Sequence, residues 1–331
     1  MTFRRIFGWL AALAILSAGF LFYRATRPYR GFTGTAYVDL PHGTSTGAMA
    51  VQLERARVVA SRWDFWMARL LKRGRVLQAG EYAFSRPASA LEVFGRIARG
   101  DVFYYELTVP EGRNMFDIAA EVEQLGVFSA AAFLKAAADP TLIRDLDPKA
   151  PSLEGYLFPS TYRLDHRTTP EQLCRMMTGR FRVAWQGLGA DAPVHDTVTL
   201  ASLVEKEGKV EDERPLIAGV FTNRLRLGMK LDCDPTTIYA AQLLGVYRGT
   251  IYRSDLDRDH PYNTYSRVGL PPGPIANPGI PSLVAALHPA SSQDLYFVLR
   301  PDDSGEHQFS RDRAAHEAAA EKYRRGLHKA R

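Results

Sequence analysis

Two cysteines in 331 residues are too few for a zinc site or a disulfide scaffold. Cys174 and Cys233 could make one bridge in an oxidising compartment, but nothing in the sequence brings them together, and two free thiols is the simpler reading. The eight histidines show neither His-x-x-x-His nor Glu-x-x-His spacing with a third ligand, so no metal centre and no cofactor is expected. Excess charge is also missing from most of the chain. Residues 1–30 hold Arg4, Arg5, Arg24, Arg27 and Arg30 and no acid, so they carry most of the formal +6. The other 301 residues have 37 basic groups against 36 acidic ones. A nucleic-acid footprint needs a basic domain, and none is left, which excludes nucleic acid as a partner.

What the amino-terminal stretch does have is an uncharged run of 18 residues, Ile6 to Tyr23, fenced by arginines. As a helix rising about 1.5 Å per residue it is just long enough to cross a hydrocarbon core. A cleaved signal peptide is the rival, with Ser17-Ala18-Gly19 as a tolerable cleavage site. The apolar run resumes as Phe20-Leu-Phe-Tyr23, which a signal peptide does not need, so an uncleaved anchor is expected. The flanking arginines do not settle its orientation.

The expected organisation is an anchor with its flank (1–30), an α+β subdomain (31–150) and a mainly helical domain (151–331). Within 37–150 short strands alternate with short helices, and a weak repeat relates Val38-Asp-Leu-Pro41-His-Gly43 to Thr108-Val-Pro110-Glu-Gly112. In each copy an extended piece ends in Pro-x-Gly and leads into a helix. Leu77 to Phe84 predicts a strand pair or bend, and Ser89 to Gly100 a helix with a serine cap and a glycine stop. Strand–helix–helix–strand units of this size resemble LysM modules, which grip N-acetylated sugar polymers; a generic α+β connector is the plain alternative. Further on, helices are expected near 170–186, 196–207, 212–227 and 236–244. The Pro- and Gly-rich stretch from His260 to Gly279 predicts a binding wall, since so long a loop in a compact domain is commonly functional. Pro281-Ser282 is expected to cap a helix, and Leu295 to Leu299 to form a buried strand.

The sharpest chemical feature is Glu207. In Thr199-Leu-Ala-Ser-Leu-Val-Glu-Lys-Glu-Gly208, a helix ended by glycine places Leu200, Leu203, Val204 and Glu207 on one face. Glu205 points about 160° away at 100° per residue, among Ser202 and other small or polar positions, and is expected to be solvated. A carboxyl on the apolar face has its charged form disfavoured, so its pKa rises and it can serve as a general acid. The plain alternative is an ion pair with an arginine at the helix end.

Glu207 together with Asp234-Pro-Thr-Thr-Ile-Tyr239, Tyr262-Asn-Thr-Tyr265, Leu270-Pro-Pro-Gly273 and Glu154-Gly-Tyr-Leu-Phe-Pro159 resembles the endolytic murein transglycosylases, the YceG-like family of bacterial cell-wall enzymes. The family's catalytic glutamate is the second of the Glu-Lys-Glu pair, which falls on Glu207. Two positions depart from the pattern: Ser160, where the family commonly has aspartate, and Cys233 beside Asp234. The resemblance implies a catalytic half related to goose-type lysozyme, fronted by a LysM-like unit. It further implies cleavage inside peptidoglycan glycan strands by a lyase route that ends in 1,6-anhydro-N-acetylmuramic acid, with termination of nascent strands as a consequence. A single-pass location in the bacterial cytoplasmic membrane follows, with the catalytic domain outside and cell-wall synthesis enzymes as neighbours. Ser202, Asp234, Tyr262, Asn263 and Tyr265 are the candidate substrate contacts. Two other readings stay open: a hydrolase pairing Glu207 with Asp232 or Asp234, and a non-catalytic, membrane-tethered glycan-binding protein.

Overall fold

The computed structural model describes residues 2–302 and 304–329, in a mixed α+β arrangement of two compact units that divide after Tyr105. The first unit begins with α1 (Thr2–Thr26), where large apolar side chains such as Phe7, Trp9, Leu13, Ile15, Leu16 and Phe20 are exposed. By length and composition the helix could cross a membrane. Its last turns are tied down, because Ala25 is fully buried and Arg24 donates to Asp64 at 3.0 Å. Just beyond, Tyr29 and Ala88 exchange backbone hydrogen bonds. Then come β1 (Ala36–Leu40), α2 (Thr46–Arg55), α3 (Arg62–Leu71), β2 (Gly80–Phe84) and α4 (Ala90–Arg99). β1 and β2 pair antiparallel with Val38 opposite Tyr82. The side chains of Leu40, Leu53, Phe65, Tyr82, Phe94 and Ile97 fill the core between them and the helices. α4 has the ends its sequence predicts, a Ser89–Glu92 capping box and a left-handed Gly100.

The second unit opens with β3 (Tyr105–Val109), α5 (Met115–Gln124), α6 (Ala130–Ala137) and β4 (Ser160–Leu164). β3 and β4 form a two-stranded sheet, so strand–helix–helix–strand order occurs twice, and the Pro-x-Gly repeat marks the same turn in each. Gly43 and Gly112 stand at φ of +82° and +75° there, a conformation in which a side chain would be strained. A helical body follows: α7 (Pro170–Gly187), α8 (Val194–Glu207), α9 (Arg214–Arg226), α10 (Asp234–Leu243), the short α11 (Arg253–Leu256) and α12 (Ile280–Leu287). The chain closes with the hairpin β5 (Tyr296–Leu299) and β6 (His307–Ser310), then α13 (Arg313–Lys329). α8 packs against α9, α10 and α12, and α13 packs over the hairpin.

Three sequence expectations need correction. Pro281 and Ser282 lie inside the first turn of α12, and Gly279 takes the cap position. β5 is half-buried along its whole length and not fully buried, as one of only two strands in its sheet. The division between units falls well before residue 150, because buried hydrogen bonds tie residues 106–150 to the helical body. The Glu154 carboxylate accepts from Met115 N at 2.9 Å, and Asn277 exchanges backbone and side-chain hydrogen bonds with the turn at Gly112 and Arg113. A fragment of residues 106–331 is therefore expected to unfold cooperatively on heating. One of residues 151–331 is expected to show no cooperative transition by circular dichroism, and a sharp melt from it would show that the shared hydrogen bonds are dispensable.

Candidate active site

α8 is not an amphipathic surface helix. Every residue from Thr197 to Val204 is buried, Ser202 completely, because small residues on its polar-looking side let α12 and the Pro-rich segment approach closely. The Ser202 hydroxyl donates to Thr199 O at 2.7 Å and accepts from Ile275 N at 3.1 Å. Glu205 is therefore not solvated, contrary to the helical-wheel expectation. Its side chain is 5% exposed, accepts from Gly279 N at 3.0 Å, and pairs with the Arg214 guanidinium at 3.3 Å. The arginine at the helix end thus binds Glu205, not Glu207. Glu111 crowds in beside them, and its carboxylate lies so close to Gly279 that a Cβ there would collide with it.

Glu207, the last residue of α8, faces a cleft of about 670 Å³. Its walls come from the turn Asp232–Asp234, Tyr265, Tyr296 of β5, and His316 and Arg324 of α13. Burial pushes the Glu207 carboxyl above its ordinary pKa, helped by nearby Asp234, against the opposing effects of the Cys233 thiol and Lys206. Cys233 donates its S–H to Glu207 Oε1 at 3.3 Å. Burial, and then the Glu207 charge, drive that thiol well above its usual range, so it is present as a donor and not as a thiolate. Both cysteines are buried and free. Asp234, in the first turn of α10, accepts the Tyr265 hydroxyl at 2.6 Å. Asp232 holds a left-handed backbone at φ +48° and pairs with Arg224 at 3.3 Å. Arg224 also donates to the carbonyls of Lys230, Leu231 and Leu295, and so fastens this turn to the hairpin.

Of the residues singled out in the sequence, Glu207, Asp234 and Tyr265 line the cleft together, while Ser202, Tyr262 and Asn263 do not. The Asn263 amide is consumed by the carbonyls of Asp255, Leu256 and Arg258 and by Tyr265 N, making it the internal pin of its loop. Tyr262 packs its ring 5.1 Å from Tyr239 and is nearly buried. The Pro-rich segment is mostly an internal strut and not a wall, since residues 273–279 are buried. Proline brings no N–H to satisfy, which lets such a segment lie inside. Asn277 supplies what the strut lacks: its Oδ1 accepts from Gly155 N and Leu157 N, and its Nδ2 donates to Glu154 and Arg113 O. Gly155 is obligatory there, at φ +87° with Pro274 so close that a Cβ would overlap its ring. Sequence reasoning missed Cys233 as a partner of Glu207, the Arg224 clasp and the wall from α13. Only the last carried a legible signal, an alanine-rich run with i,i+4 pairs such as Arg313–Glu317 and Glu321–Arg325.

The sequence pattern of the YceG-like family matches residues 38–322. The endolytic murein transglycosylase of Bacillus subtilis is 33% identical over 310 residues, covering 87% of this chain and 85% of that protein. That of Streptococcus pneumoniae is 30% identical over 88% of this chain, and the match spans only 60% of its own greater length. The crystal structure of a yceG-like protein from Listeria monocytogenes superposes with a TM-score of 0.56 at 30% identity, covering 86% of this chain and 98% of that one.

Proposed function

The chain belongs to the YceG-like family, and from that premise we propose that it is a membrane-anchored lytic transglycosylase cutting within peptidoglycan glycan strands. The bond cleaved joins N-acetylmuramic acid to N-acetylglucosamine, and Glu207 carries both proton transfers. The observation that carries this reading is the half-buried Glu207 carboxyl, raised in pKa, at the wall of a cleft. Glu207 starts neutral and protonates the departing glycosidic oxygen as the C1–O bond breaks. As carboxylate it then takes the proton of the muramoyl 6-hydroxyl, whose oxygen closes on C1. The product is a 1,6-anhydro end, the carboxyl is again protonated, and neither water nor a second carboxylate is consumed, unlike the paired-carboxylate glycosidases. Asp234, held by Tyr265, puts negative charge on the same cleft, where positive charge develops on the sugar. The strand–helix–helix–strand order of the first unit supports a LysM-like module that holds glycan, and the helical body a lysozyme-like catalytic domain. Mass analysis of products from purified peptidoglycan is the test. Anhydro ends are expected, reducing ends would replace the lyase with the hydrolase reading, and no cleavage would leave a glycan-binding protein.

The thiol gives a second handle. Cys233 opposes the effect of burial on Glu207, so Cys233→Ala is expected to raise the carboxyl's pKa further. The acid form would then persist to higher pH, and the alkaline limb of kcat/KM should move upward, while Cys233→Ser, which keeps a donor, should not move it in that direction. An unmoved limb in folded Cys233→Ala would show that the thiol does not act on the reacting carboxyl.

The exposed apolar face of α1 supports the anchor, with the amino terminus inside and the catalytic domain outside, where its polymer lies. A carboxyl-terminal reporter active only in an oxidising compartment should be active. Silence from a well-expressed fusion would overturn that orientation.

A further inference from the structure

α3 carries large apolar side chains on the face turned away from its own core. Asp64, Phe65 and Ala68 are buried, whereas Trp63, Trp66 and Leu70 are 63%, 41% and 49% exposed. At about 100° per residue the three exposed residues fall within about 60° of one another, on the side opposite the buried set. A solvent-facing stripe of two tryptophans and a leucine is unusual for a soluble surface. Its own segment is mostly basic: residues 62–75 contain Arg62, Arg69, Lys72, Arg73 and Arg75 against the single acid Asp64, while Glu54 meets the start of the helix by accepting from Arg62 N at 3.1 Å. Asp64 is already taken, since it accepts from Arg24 of α1 at 3.0 Å.

The same contact fixes where the stripe lies. α3 packs against the last turns of α1, where the apolar run ends and Arg24 and Arg27 begin. A cavity of about 450 Å³ at this junction is lined by Phe20 and Tyr23 beside Arg24, Arg27 and Arg30. Apolar floor and cationic rim together match the boundary between acyl chains and phosphate headgroups. Tryptophan and tyrosine favour that depth, and basic side chains beside it meet anionic phospholipid.

We propose that α3 is an interfacial helix lying on the membrane surface, with Trp63, Trp66 and Leu70 in the headgroup region and its basic residues against anionic lipid. The proposal rests on α1 as a membrane span, and continuity with that apolar helix is what selects lipid over other occupants. Bound in this way, α3 would hold the first unit flat against the bilayer, where α1 alone would leave it free to tilt.

The test uses the full chain in vesicles of equal parts phosphatidylcholine and phosphatidylglycerol. An environment-sensitive fluorophore is attached in turn through Trp63→Cys, Trp66→Cys, Leu70→Cys and Ile15→Cys, the native cysteines being buried. Labels at 63, 66 and 70 should be shielded from aqueous iodide and lose fluorescence to lipids spin-labelled near the headgroup. The label at 15 should respond to lipids spin-labelled deep in the chain. A buried label at 15 with iodide-accessible labels on α3 would overturn the proposal and leave the anchor standing. An aqueous label at 15 would overturn both. Shielding of α3 that appears only with soluble peptidoglycan fragments would assign the stripe to glycan, and shielding that follows protein concentration at fixed lipid would assign it to a second copy; either result sinks the proposal.

Discussion

Replacing Glu207 with glutamine is expected to leave a folded protein that no longer cuts glycan. The amide keeps the shape of the side chain and an oxygen to accept the Cys233 thiol, so the local packing survives. What disappears is the proton, and proton transfer alone contributes roughly 10²–10⁴-fold. Under the proposed mechanism one group serves as acid and then as base, so both steps fail together, and the loss should reach the limit of detection in a product assay. Glu205→Gln makes the informative contrast, though not as a silent control. It weakens the buried pair with Arg214 and lowers the melting temperature, and it leaves measurable turnover because Glu205 acts only by holding the end of α8. An active Glu207→Gln protein beside a dead but stable Glu205→Gln protein would transfer the chemistry to the wrong glutamate and overturn the assignment.

The largest effect on stability is expected at Glu154, which is nearly inaccessible and collects three donors: Met115 N, the Asn277 amide and the Tyr239 hydroxyl. Glu154→Ala strands all three in the interior. At about 1–3 kcal/mol for each buried donor left unmade, the loss is at least about 3 kcal/mol, a large share of the roughly 5–15 kcal/mol that holds a domain folded, and a marked fall in melting temperature is expected. The residue also predicts a pH dependence. Burial, opposed chiefly by the Met115 N–H and the Tyr239 hydroxyl, raises its pKa from 4.5 to about 8. The folded state therefore holds a proton that the unfolded state releases, so this contribution is fully present below pH 4.5 and is lost as pH rises towards about 8. Glu154→Gln, which cannot ionise, should lack that decline in denaturant melts between the two values. A wild-type protein whose stability rises through the same window would show that the donors outweigh burial.

Local signals were legible in the sequence where one residue decides its own neighbourhood. Ser89, Glu92 and Gly100 set both ends of α4, the two Pro-x-Gly turns marked a repeated supersecondary unit, and the charge-free run at 6–23 became an exposed apolar helix. Glu207 was also legible, because the apolar residues three and four positions before it lie on its own helix face. Periodicity failed one step away, at Glu205. A helical wheel reports which side of a helix is polar and cannot say whether another element covers that side. Only the tertiary structure decided that α12 and the Pro-rich strut bury it, turning an apparently solvated glutamate into half of an internal ion pair. The same limit hid Cys233, 26 residues from Glu207 in the chain and 3.3 Å from its carboxyl in space. It also hid Asn277, whose four hydrogen-bonding positions join segments more than a hundred residues apart. Sequence determined most of the elements and the apolar setting of Glu207, because propensity, capping and helix-face patterning are local free energies. The cleft, its wall from α13 and the partners of each buried charge were decided by packing, because a desolvated polar group is satisfied by whatever the fold brings within hydrogen-bonding distance.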